Sequence, residues 1–65
     1  MLRLKRERLN RGYTQLDVAA LTMIGPSVIS NLESGKRKPG PVWGYRLSRL
    51  FGLTVDELLA EVPDD

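Results

Sequence analysis

An all-α fold, a compact bundle of five short helices, follows from three features of the sequence. Glycine and proline punctuate it at regular intervals, the segments between them are short and rich in Leu, Val, Ala and Arg, and no stretch alternates with the period of a strand. At 65 residues the expectation is one domain over residues 1–62 and a frayed acidic tail at 63–65. Total stability should be about 3–10 kcal/mol, at roughly 0.05–0.15 kcal/mol per residue. A functional site therefore has to sit on such a fold rather than deform it, and a deep substrate cavity is not expected.

The first helix, over residues 2–11, sets Leu2, Leu4 and Leu9 against a charged face and stops at Gly12, a residue suited to a left-handed cap. The second opens on a capping signature, Thr14 with Asp17 three residues on, fills its apolar side with Leu16, Val18, Ala19, Ala20 and Leu21, and ends near Thr22. Gly25 and Pro26 start the third, because glycine is tolerated at the cap and proline is preset for the first helical position. It runs to about Ser34, stops at Gly35, and buries the narrow stripe of Ile29 and Leu32. Gly40 and Pro41 open the fourth, with Trp43, Leu47, Leu50 and Phe51 facing the core until Gly52. The fifth begins with the capping box Thr54 to Glu57, continues through Leu58, Leu59 and Val62, and ends at Pro63.

Composition excludes several classes of function. The chain has no Cys and no His, so it lacks a disulfide framework, thiolate or imidazole metal ligands and the commonest general base. No metal or cofactor is expected. Catalysis is not expected either, since nothing activates a nucleophile, no glycine loop cradles a phosphate, and the glycines mark helix ends. A hydrophobic share of 42% with 28% charged residues is that of a globular chain, and no apolar run approaches a membrane span. The mostly charged N-terminus does not read as a signal peptide.

A net charge of +2 conceals a segregation of signs. Residues 1–55 hold all ten Lys and Arg against three acids, a net +7, whereas the last ten residues carry five acids and no base, a net −5. That dipole favours a polyanion at one end and keeps the other away from it.

Between Thr14 and Glu33 lie two helices joined by a turn of three or four residues, the spacing of a helix-turn-helix. Ala19 falls where these helices cross closely, and Ile24 and Ile29 supply the apolar plug beneath. The residues Arg8, Gly12, Thr14, Gln15, Val18, Ala19, Ile24, Ser27, Ile29, Ser30 and the run from Glu33 to Pro39, with Gly52, Leu53, Val55 and Leu58 beyond, together resemble the Cro/repressor-type helix-turn-helix family, the xenobiotic-response-element family. The resemblance covers nearly the whole chain and implies a lambda-repressor-like DNA-binding domain. It further implies a transcriptional regulator, most often a repressor, acting as a homodimer on an inverted repeat. Such a protein is cytoplasmic, and nucleoid-associated when bound to DNA.

Carried over by position, the resemblance puts Pro26, Ser27, Val28, Ser30 and Asn31 on the surface of the third helix that enters the major groove. Asn31 and Ser27 are candidates for hydrogen bonds to bases, and Val28 for a thymine methyl. Thr14, Gln15, Lys36, Arg37 and Lys38 should meet phosphates, and Gln15 can also brace the recognition helix. Arg8 and Glu33 match an ion pair that links the first helix to the end of the third.

Three departures stand out. Met23 occupies a turn position where glycine is preferred, so either Met takes a positive φ or the turn is built differently. Pro26 brings no polar side chain to a base-reading position. Gly44 replaces a core leucine, leaving a gap that Trp43 or Tyr45 would fill. For a dimer, the segment Leu53, Thr54, Val55 and Leu58 is the expected contact; the alternative is that Leu58, Leu59 and Val62 only close the monomer core. A rival reading is an antitoxin-like or adaptor protein whose Pro26 and Val28 face a protein partner. The basic residues 36–38 separate the two, because a pure adaptor has no need of them.

Overall fold

The computed structural model describes residues 1–64; Asp65, the last residue of the expected acidic tail, lies outside them. The described chain is helical, in the order α1 (Arg3–Asn10), α2 (Gln15–Thr22), α3 (Pro26–Glu33), α4 (Pro41–Phe51) and α5 (Val55–Leu58). Leu4, Val18, Ile29, Leu32, Leu47, Phe51 and Leu58 interlock at its centre, so every helix gives at least one side chain to a single core. Burying an aliphatic side chain of this size contributes about 1.5–3 kcal/mol.

The helix boundaries follow the expected chemistry. Thr14 accepts from the Asp17 amide at 3.0 Å while the Asp17 carboxylate accepts from the Thr14 amide at 2.8 Å, a reciprocal capping box. Thr54 and Glu57 repeat it at the start of α5, at 3.1 and 2.9 Å. Between α2 and α3 the chain turns on three residues. Met23 adopts the left-handed conformation, φ 59° and ψ 34°, and the Ile24 amide donates back to the Ala19 carbonyl at 3.2 Å, closing the end of α2. Of the two ways open to Met23, the positive φ is the one taken.

Several expectations are corrected. Leu9 is half exposed, and Leu16, Ala20 and Leu21 point to solvent, because an eight-residue α2 buries only Val18, Ala19 and Thr22 on the side that meets α3 and α4. Thr22 tolerates burial by donating its hydroxyl to the Val18 carbonyl at 2.7 Å. The gap at Gly44 is filled by neither Trp43 nor Tyr45. Val55 closes it, its Cγ2 standing 3.0 Å from where a Cβ on Gly44 would lie.

The fifth helix is a single turn and does not reach Val62. After a turn at Leu59 and Ala60 the chain pairs with the N-terminus: Val62 N–H donates to the Met1 carbonyl at 2.8 Å, Arg3 N–H to the Ala60 carbonyl at 2.9 Å, and Leu2 and Glu61 form an antiparallel bridge. The reason is local, since the α1 entrance at Leu2 has no side-chain cap and its free backbone groups find partners in residues 60–62. Beyond the bridge, the Pro63 carbonyl accepts from Arg6 and Asp64 pairs with the Met1 amino group.

Candidate nucleic-acid interface

The site is built on α3. Its inner face carries Ile29 and Leu32, both fully buried, and Glu33. Its outer face carries Pro26, Ser27, Ser30 and Asn31, all exposed, with Val28 half buried at the edge and packed on the core. Gly25 provides no side-chain cap, so α3 begins with Pro26 preset at its first position and the positive end of its dipole toward solvent. Four of the five residues expected to read bases, Pro26, Ser27, Ser30 and Asn31, are thus exposed on one short helix, with Val28 at the edge of that surface.

That helix is held by a buried polar network. The Arg8 guanidinium donates from Nε to Glu33 Oε2 at 2.6 Å and from Nη2 to Oε1 at 3.1 Å, a bidentate pair from α1 to the last turn of α3. Both residues are nearly inaccessible, at 7% and 6%. Gln15 donates its side-chain amide to the same Glu33 Oε1 at 3.1 Å, and Arg8 Nη1 donates to the Tyr13 carbonyl at 2.9 Å. One carboxylate thus ties α3 to α1 and to the start of α2. Gln15, expected at a phosphate, spends its amide donor on bracing α3, the other role foreseen for it.

The basic loop is organised by the opposite end of α3. A single acceptor, the Asn31 carbonyl, takes the amides of Lys36 at 3.0 Å and Arg37 at 3.3 Å and the Ser34 hydroxyl at 3.1 Å, while Gly35 turns with φ 80°. Lys36, Arg37 and Lys38 are all exposed there. The Arg37 guanidinium lies 4.7 Å from the centre of the Trp43 ring. Stacking occupies the face of the guanidinium and leaves its edge N–H groups available to an anion. This contact also explains how Trp43 stays half buried on the core.

The residues proposed for a dimer are not alike. Leu58 is 2% exposed, locked in the monomer core, and has no surface to offer a second copy. Thr54 is exposed but its hydroxyl is engaged in the α5 cap, whereas Leu53 and Val55 are half buried. Three contacts had no sequence signal: the Asn31 carbonyl hub, the seat of Val55 on Gly44, and Arg11, which donates to the Phe51 carbonyl at 3.0 Å and lies 4.9 Å from the Phe51 ring.

Comparison with known proteins decides the family. Residues 4–58 match the helix-turn-helix family. The chain belongs to it. Among curated proteins, this helix-turn-helix chain is 35% identical over 49 residues to the uncharacterized HTH-type transcriptional regulator YqaF of Bacillus subtilis (strain 168), covering 75% of this chain and 64% of that one. It is 37% identical over 59 residues to the HTH-type transcriptional regulator ImmR of the same organism, covering 91% of this chain and 46% of the relative. The match thus spans about half to two thirds of the length of these relatives. No solved structure matches. Both of these relatives are described as HTH-type transcriptional regulators. No helix of the described residues is long and apolar enough to cross a membrane.

Proposed function

We propose that this chain binds duplex DNA as a small transcription regulator, with α3 in the major groove, and that it represses by occupying an inverted-repeat operator as a homodimer. The observation that carries the reading is an exposed polar helix face, Ser27, Ser30 and Asn31, held rigid by the buried Arg8–Glu33–Gln15 network and flanked by Lys36, Arg37 and Lys38. A base-reading helix must be fixed before it docks, and phosphate contacts beside it set its register. Asn31 serves adenine, Val28 a thymine methyl, and Ser27 and Ser30 either hydrogen-bonding partner. Pro26 adds shape but no polar contact. Thr14 and Gln15 bring the start of α2 to the backbone of the duplex.

Dimerisation is argued from size. The molecule measures 28 × 23 × 22 Å, less than the roughly 34–36 Å between half-sites on one face of DNA, so one copy cannot read both. Leu53, Thr54 and Val55 are the surface offered for pairing. Selection of bound duplexes from a random pool tests the whole reading, and an inverted repeat is the expected product. On the selected duplex, neutralising Lys36, Arg37 and Lys38 together should abolish specific binding at moderate salt. Each lost phosphate contact should flatten the dependence of log K on log salt by about 0.9. Recovery of no duplex at low salt would refute the proposal.

A further inference from the structure

Three of the six large apolar side chains that stand exposed among the described residues gather at one place, a shallow groove between α2 and α4 of about 560 Å³. Leu21 is 56% exposed, Met23 81% and Tyr45 62%, with Leu50 at the floor and Arg46 and Arg49 along one wall. None of the lining comes from α3 or from residues 36–38. The groove is therefore separate from the surface assigned to DNA.

Two features set it apart from chance exposure. Met23 holds a left-handed backbone, φ 59°, a conformation that favours glycine, and its side chain recovers almost no burial in return. A flexible thioether kept in water at a strained turn is well suited to packing against a partner. The charge is also one-sided. No acidic residue lines the groove, and neither Arg46 nor Arg49 is paired with a carboxylate among the described residues. Among the described residues Arg46 donates to the Thr22 carbonyl at 3.4 Å, and Arg49 donates to the Tyr45 hydroxyl at 3.2 Å with its guanidinium 5.8 Å from the centre of the Tyr45 ring.

We infer that the α2–α4 groove docks a short acidic amphipathic helix of another protein, its leucine-type residues on Leu21, Met23, Tyr45 and Leu50 and its carboxylates on Arg46 and Arg49. A groove between two helices accepts the ridge of a third, and the cationic wall selects carboxylates over lysines. Because the site lies off α3, the helix-turn-helix can hold DNA and this partner together.

The probe is a lactam-bridged helical peptide with leucines at i, i+3, i+4 and i+7 flanked by glutamates, titrated into isotope-labelled full-length protein. Saturable amide shifts should centre on residues 21–23 and 45–50. Replacing the glutamates by lysines, or the leucines by serines, should weaken binding by at least about tenfold. Arg49→Glu should invert the preference between the acidic and lysine peptides. Met23→Gly, which suits the backbone and so cannot fail by misfolding, should weaken both leucine-bearing peptides alike. The inference is overturned by shifts that centre on α3 or residues 36–38, by equal affinity for the lysine peptide, or by no saturable shift. It is equally overturned if the same amides respond to self-association on dilution or to phosphatidylglycerol vesicles. Duplex binding is measured on the same samples, so failure of the DNA reading and failure of the groove are seen independently.

Discussion

Charge is concentrated at two poles of this small bundle, and it acts differently at each. At the α3 pole one pair, Arg8 with Glu33, is excluded from water, forked, and shared with Gln15. At the pole where the chain termini meet, the Met1 amino group faces Asp64 and Glu61, and Arg3 lies between Glu7 and Glu57. The acids around Met1 are 78% and 73% exposed. More ion pairs form at the termini, yet the single pair under α3 governs the position of the helix that carries the site. Exposed pairs contribute roughly 0–1 kcal/mol, whereas stranding one member of a buried pair costs about 3–5 kcal/mol. Burial, and not the number of pairs, marks where this chain depends on charge.

Glu33→Ala is the strongest attempt to break that comparison. It leaves the Arg8 guanidinium in a dry site and removes the acceptor of Gln15, so it should cost about 3–5 kcal/mol, most of the stability of a domain this size. Glu7→Ala, which removes the acceptor of Arg3 and Arg11 at the rim of α1, should cost under about 1 kcal/mol. Thermal melts followed by circular dichroism compare the two directly, and equal shifts would end the distinction. The double variant Arg8→Met with Glu33→Leu sharpens it. If the large loss is the stranded charge, the double variant should recover most of the stability while losing DNA binding, because the network that orients α3 is gone.

The same contrast explains what was legible in the sequence. Helix starts were readable because their chemistry is local: Thr14 with Asp17, Thr54 with Glu57, Gly25 with Pro26. The Arg8–Glu33 link is 25 residues apart and came only from resemblance to a family, as did the base-reading face of α3. Leu16, Leu21 and Leu9 were misjudged because hydrophobicity says that a side chain can be buried, while the length of the bundle decides whether a neighbour is there to bury it. The end of α5 was misjudged for a related reason. Its apolar residues continue the helical pattern, but the unsatisfied groups at the entrance of α1 compete for the same backbone and take residues 60–62.

Packing between α4 and α5 gives a second comparison, since crowding that contact should outweigh any change of exposed charge at the termini. Gly44→Val forces methyl groups into Val55, whose Cγ2 is already 3.0 Å from the position of a Cβ. Overpacking of this kind costs typically about 1–3 kcal/mol. Combining it with Val55→Ala should return much of the loss by vacating the same space. A non-additive cycle in urea melts would locate the strain in that one contact, and strict additivity would move it elsewhere.

The smallest effect expected is the response of the terminal pole to pH. The Thr54 amide and hydroxyl hold the Glu57 carboxyl below its usual range, and the Met1 amino group does the same for Asp64. Glu7 is lowered by Arg11 and then Arg3. Carboxyls depressed in the folded state give stability that is complete above their unfolded values, about 3.9–4.3, and lost as pH falls through the folded ones. The Met1 amino group is raised by its hydrogen bond to Asp64, so its contribution is complete below about 7.7–8.0 and lost as pH rises past the folded value. Melting temperature should therefore form a shallow plateau from about pH 5 to pH 8, with a gentle fall on each side. Acetylating the N-terminus should erase the alkaline fall, and Glu57→Gln should reduce the acid one, neither approaching the loss caused by Glu33→Ala. A steep alkaline limb that disappears on acetylation would mean that exposed charge carries more of this pole than its backbone pairing does.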